Sequence, residues 1–210
     1  MPHWRQEAAT YFVTFRLADS LPAEALAKLE ALKREWVDDV ATRESTGGWT
    51  EAERKNTWEE ISRNAIATIE HWLDQGIGDC LLREERTRKI LKDSLLHGDG
   101  EEAELAAAVI MPNHVLLIIR PLEGNPLEIY LQRRKRHSAR EINRVLGRRG
   151  QVWQEESFDR IVRDTEHLWR CLQYIGRNPR KARLHDRDCS RWVREEWVKA
   201  GWGFVDEEAG

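Results

Sequence analysis

Between Leu105 and Pro121 the chain carries two apolar runs, Leu105 to Ile110 and His114 to Ile119, separated only by Met111, Pro112 and Asn113. Runs this short, bounded by turn residues, match buried strands better than helices. The tight link brings the second run back against the first, so the pair reads as a buried hairpin. Pro121 stops the second run. A hairpin in mid-chain with helical patterns on both sides points to a mixed α+β sheet.

Upstream, Tyr11 to Leu17 alternates and is rich in β-formers, so it reads as a first strand. Leu21-Pro22 opens a helix with Leu26, Leu29, Leu32 and Trp36 at helical spacing, and Thr46-Gly47-Gly48 breaks it. Thr50 is the expected N-cap of a second helix, with Glu53 at the capping-box position and Trp58, Ile61, Ala65, Ile69 and Trp72 on its apolar face. Gly76 and Gly78 end that helix. Leu81-Leu82 leads into a charged helix to about Leu96, and His97 to Glu102 is a polar turn. After the hairpin, Asn125-Pro126 opens a basic helix carrying Leu127, Tyr130, Leu131, Ile142, Val145 and Leu146, ended by Gly147 and Gly150. Val152-Trp153 and Phe158 to Val162 read as short strands. A last core helix over about Thr165 to Gly176 carries Leu168, Leu172 and Ile175, with Asn178-Pro179 as an ordinary stop.

The formal net charge of −3 hides an asymmetry. Residues 1–105 carry 14 Lys/Arg against 22 Asp/Glu, and residues 106–210 carry 20 against 15. Arg133 to Arg149 holds eight basic residues against Glu141 alone, and Arg177 to Arg194 holds seven against Asp186 and Asp188. A polyanion is drawn to the second half and not to the first, although most charge runs are solvated helix faces. Of the ten tryptophans, most are expected as packing groups and a minority as stacking surfaces for bases. Cys80, Cys171 and Cys189 are scattered with no CxxC pair, which argues against a disulfide framework or a zinc site and suits a reducing cytoplasm. No signal peptide is expected from MPHWRQEAAT, and no apolar stretch approaches the ~20 residues of a membrane span.

Five stretches in order resemble the REP-associated tyrosine transposases, a branch of the HUH single-strand DNA transposases. They are YFVTFRLADSLP (Tyr11 to Pro22), HWLDQGIGDCLL (His71 to Leu82), MPNHVLLIIRP (Met111 to Pro121), YIGRNP (Tyr174 to Pro179) and the surrounding Ala139 to Leu184. The resemblance implies an RRM- or ferredoxin-like antiparallel sheet with helices packed on one face. It implies a transposase-like domain over 1–185, with a largely helical insertion over 21–100 after the first strand and a basic tail over 186–210. It also implies DNA as partner, in single-stranded or hairpin palindromic form, for a monomer or homodimer.

The family's strand motif ends in His-hydrophobic-His, and both histidines bind a divalent metal. Alternation along a strand sends positions 114 and 116 to one face. Here they are His114 and Leu116, so the second imidazole is missing. In YIGRNP, Tyr174 and Asn178 are i and i+4, neighbours on a helix face. By resemblance Tyr174 is the nucleophile, and His114 and Asn178 are ligands of Mg²⁺ or Mn²⁺. The implied reaction is transesterification through a 5′-phosphotyrosine. Arg177 and Lys181 are nearby cations for activating the phenol. Leu116 cannot donate to a metal, and a substitute ligand would have to come from His137, His3 or Glu155. The expected DNA contacts are Arg133, Arg134, Lys135, Arg136, Arg140, Arg177, Arg180 and Lys181. Two functions remain open: cleavage and rejoining of single-stranded or hairpin DNA, and non-catalytic binding of palindromic hairpins. A protein-interaction module on a dead transposase scaffold is the third class, and it leaves the basic clusters unexplained.

Overall fold

The computed structural model describes residues 9–45, 48, 50, 53, 57 and 68–205. They form two compact units, Asp19–Gly78 and the remainder.

The larger unit is built on a five-stranded antiparallel sheet. Its strands are β1 (Tyr11–Arg16), β2 (Ala103–Ile110), β3 (His114–Pro121), β4 (Phe158–Ile161) and β5 (Ser190–Val193), in the order β4-β1-β3-β2-β5. The first four follow the order of a split β-α-β-β-α-β fold. The expected hairpin is β2 and β3, paired Ile110 with Val115 through Ala103 with Pro121. β3 is the centre of the sheet and is buried from His114 to Ile119, so it is apolar on both faces.

Alternation divides the core. Val13 and Phe15 of β1 and Leu17 just after it, with Val115, Leu117 and Ile119 of β3, line one face. Phe12, Leu116 and Ile118 line the other. In β2 a register shift between Leu105 and Ala107 exchanges parity, so Leu105 and Ala108 share a face. A bulge inserts one residue and turns every later side chain over.

Two helices cover the Val115 face: α2 (Glu85–Leu96) and α3 (Leu127–Leu146). In α3 the buried positions Leu127, Tyr130, Leu131, Arg134, Ser138 and Ile142 fall on one helical stripe. Gly147 closes it at φ 61°, a left-handed conformation that glycine adopts without strain. α4 (Thr165–Lys181) covers the opposite face with Cys171, Leu172 and Ile175. The α+β antiparallel class is as expected, but helices lie on both faces and not on one.

Three boundaries differ from the sequence reading. The charged helix α2 packs on the sheet, so the separate unit ends at Gly78, well short of 100. The expected tail supplies the edge strand β5, paired to β2 from Ala107–Val193 to Ile110–Ser190. It continues into a short α5 (Glu195–Lys199), whose Trp197 packs with Trp202 and Phe204 against the α4-side core. Finally, α4 runs through Pro179 to Lys181. Burial of Asn178 and Pro179 outweighs the local preference of a residue before proline for extended backbone.

In the smaller unit, α1 (Ala23–Ser45) buries Ala25 and Leu29. Thr50 and Glu53 close the expected capping box: the Thr50 N–H donates to Glu53 Oε2 at 3.0 Å and the Glu53 N–H to Thr50 Oγ1 at 3.3 Å. Residues 68–73 are helical, with Ile69 and Leu73 buried. Trp58, Ile61 and Ala65 lie outside the described residues. Among the described residues no helix is long and apolar enough to cross a membrane.

Candidate nucleic-acid interface

The sheet face under α4 brings His114, Leu116, Tyr174 and Asn178 to one side. Tyr174 stands edge-on to Phe12, ring centroids 5.8 Å apart at 62°, and Phe12 pairs in register with Ile118. Seven residues further along α4, Lys181 is close enough to His114 to act on its charge. The helix therefore runs along β3, from the Ile118 row at Tyr174 towards the His114 end at Lys181. Seven helical residues rise about 10 Å, against about 13 Å for the four strand residues between these rows. Asn178, 3% exposed, falls between them on the same stripe.

His114 is buried, and its Nδ1 lies 2.9 Å from Asn113 Oδ1. An amide oxygen accepts, so Nδ1 carries the proton and Nε2 keeps the lone pair. Burial first, and then the Lys181 cation, push the imidazole down to about 3, so it is neutral in ordinary buffers. Leu116 is 1% exposed and belongs to the apolar cluster of Phe12, Ile118, Leu172 and Ile175. The second imidazole of the expected motif is thus replaced by packed hydrocarbon.

These residues do not fit a metal centre. One neutral imidazole and one carboxamide are a sparse donor set for Mg²⁺ or Mn²⁺, which favour carboxylate, carbonyl and water oxygen. Among the described residues no three of His, Cys, Asp and Glu converge to hold a metal ion. The substitute donors weighed from sequence do not repair this. His137 and Glu155 are exposed, and His3 lies outside the described residues. The three cysteines are free and buried.

The basic residues divide by surroundings. Arg133, Arg136 and Arg140 are exposed on α3, and Arg177, Arg180 and Lys181 on the last turns of α4. Arg133 and Arg140 make loose pairs with Glu102 and Glu141, at 3.4 and 3.3 Å. Arg134 does not belong with them. It is 5% exposed, pairs with Glu102 and lies 4.9 Å from the Tyr130 ring centroid, on the inward stripe of α3. Lys135 is intermediate: Nζ donates to the Glu155 carbonyl at 2.7 Å, and burial first lowers it to about 8, with Arg16 opposing its charge as well. The two basic clusters thus lie on helices that cover opposite faces of the sheet.

Sequence reasoning missed Arg160 of β4, whose guanidinium lies 4.6 Å from the Phe12 ring centroid. Its signal was only that Phe158 to Val162 alternates, with Arg160 on the face of Phe158. It also missed Gln173, which receives the Val205 N–H at 2.8 Å and donates to the Gly203 carbonyl at 2.9 Å.

No protein-family model matches the chain, and no curated protein matches it. A solved structure described as "Structure of the REP associates tyrosine transposase bound to a REP hairpin" aligns with 96% of this chain and 76% of its own, at 14% identity and a TM-score of 0.45. At that level the likeness assigns neither family nor ligand to this chain.

Proposed function

We propose that this protein is a DNA-binding protein of transposase type that takes single-stranded or hairpin DNA and has lost metal-assisted cleavage. The observation that carries this is Leu116. The strand and helix that would make a cleavage site share one sheet face, yet the position of the second metal ligand is filled by a buried leucine in an apolar cluster. Exposed Arg133, Arg136 and Arg140 on α3, and Arg177, Arg180 and Lys181 on α4, provide phosphate contacts that need no metal. In this reading Tyr174 is a contact residue, half-buried against Phe12.

A second reading, cleavage and rejoining through a 5′-phosphotyrosine, draws on the retention of Tyr174, His114 and Asn178 on one face. One experiment separates the two. The protein is incubated with hairpin and single-stranded DNA, with and without Mn²⁺, and resolved under denaturing conditions. Salt-sensitive binding without a covalent adduct supports the binder. An adduct that Tyr174→Phe abolishes overturns it in favour of cleavage.

A further inference from the structure

We propose that Arg160, with Arg170 beside it, forms a phosphodiester subsite next to Tyr174, an inference that rests on the DNA-binding reading above. Arg160 sits on the edge strand β4 and pairs in register with Phe12 of β1, so the two side chains rise on the same face. Its guanidinium lies over the Phe12 ring, 4.6 Å from the centroid, and Phe12 meets the Tyr174 ring edge-on at 5.8 Å. Its Nη2 is 3.9 Å from Cys171 Sγ. Among the described residues its guanidinium has no carboxylate partner. The guanidinium N–H donors that the thiol does not engage can take a phosphate through charge-assisted hydrogen bonds.

Arg170 stands one helical turn before Tyr174. Among the described residues its only ion pair is with Glu166 at 2.8 Å, both side chains well exposed, and such a pair exchanges readily for a phosphate. Arg170 directly precedes Cys171, whose Sγ lies 3.9 Å from Arg160 Nη2, so both cations stand at the same turn of α4; both lower the His167 imidazole, after its burial does. Nearby carboxylates do not cancel the pair. Asp164 Oδ1 receives the His167 N–H as the N-cap of α4, and Glu166 is the exchangeable partner just described. A strand of nucleic acid laid across Tyr174 would thus meet cations on both sides: Arg160 and Arg170 before it, Arg177 and Lys181 after it.

The test uses the full chain and a fluorescein-labelled single-stranded oligonucleotide of mixed sequence, with affinity measured across a salt series. Each phosphate contact to a single strand contributes about 0.7 to the slope of log K against log[salt]. Arg160→Gln should reduce the slope by about that amount. Arg160→Lys should keep it, and Arg120→Gln, on β3 in an exposed pair with Glu104 of β2, should change nothing. If Arg160→Gln fails to fold, Arg160→Met keeps the apolar stem against Phe12 and decides the slope. A parent that binds with salt dependence, together with an unchanged slope in the neutral variant, overturns the subsite and leaves the DNA reading intact. A parent that binds neither this oligonucleotide nor hairpin DNA overturns both.

Discussion

Leu116→His restores the pattern of two imidazoles on one strand face, and the structure predicts that it damages the protein and rebuilds nothing. Leu116 is 1% exposed among Phe12, Ile118, Leu172 and Ile175. Withdrawing a leucine from such a site costs about 1.5–3 kcal/mol of transfer free energy. An imidazole buried there without a partner costs about 1–3 kcal/mol more. Its ring carbons recover part, so the net loss should be about 3 kcal/mol. For a chain of 210 residues, each kcal/mol shifts the melting temperature by about 2–4 °C, or about 6–12 °C here. Leu116→Met, close in volume, should stay within about 1.5 kcal/mol of the parent. The assay is thermal and urea unfolding of all three proteins with and without Mn²⁺. Binding to the folded state alone would raise stability by about 2.7 kcal/mol at a hundredfold excess over Kd. A histidine variant as stable as the parent, or one that Mn²⁺ stabilises selectively, would refute the apolar-packing argument.

Four further outcomes follow from single residues. The folded pKa of His114, about 3, lies below its ordinary 6.5, so between them the unfolded chain binds the extra proton and stability rises with pH. Going from pH 7 to pH 5 should cost about 2 kcal/mol through this group, at about 1.36 kcal/mol per unit. His114→Gln should remove that part of the slope, and a parent–variant difference independent of pH in urea titrations would count against it. Arg134→Gln should destabilise by about 1–3 kcal/mol by leaving Glu102 without its inner partner. Exposed Arg136→Gln should stay within about 0.5 kcal/mol while weakening oligonucleotide binding, and equal melting temperatures would refute this division. Gly176→Ala should destabilise by about 1–3 kcal/mol despite alanine's better helix propensity. The added Cβ would lie 2.5 Å from the Phe204 ring, so proteolysis near the C-terminus should speed up.

Much of the frame was present in the sequence because it depends on local periodicity. The hairpin of Leu105 to Ile119, the Thr50–Glu53 capping box and the apolar stripe of the basic helix are patterns of neighbours along the chain, and each is found where its spacing puts it. The alternation that sends His114 and position 116 to one face is likewise a property of any strand. The tertiary structure decided what local pattern does not encode. It turned the final basic stretch into the edge strand β5, because β2 had an open edge to pair. It carried α4 past Pro179, because burial of Asn178 and Pro179 outweighed a local stop signal. It put Arg134 inside and left Arg133 and Arg136 outside, since a run of like charges wraps around a helix and only packing tells its faces apart. It also decided the meaning of Leu116. As a letter it marked a missing ligand, and only its contacts across the sheet, from segments distant in sequence, show that hydrocarbon closes the place where a metal would sit.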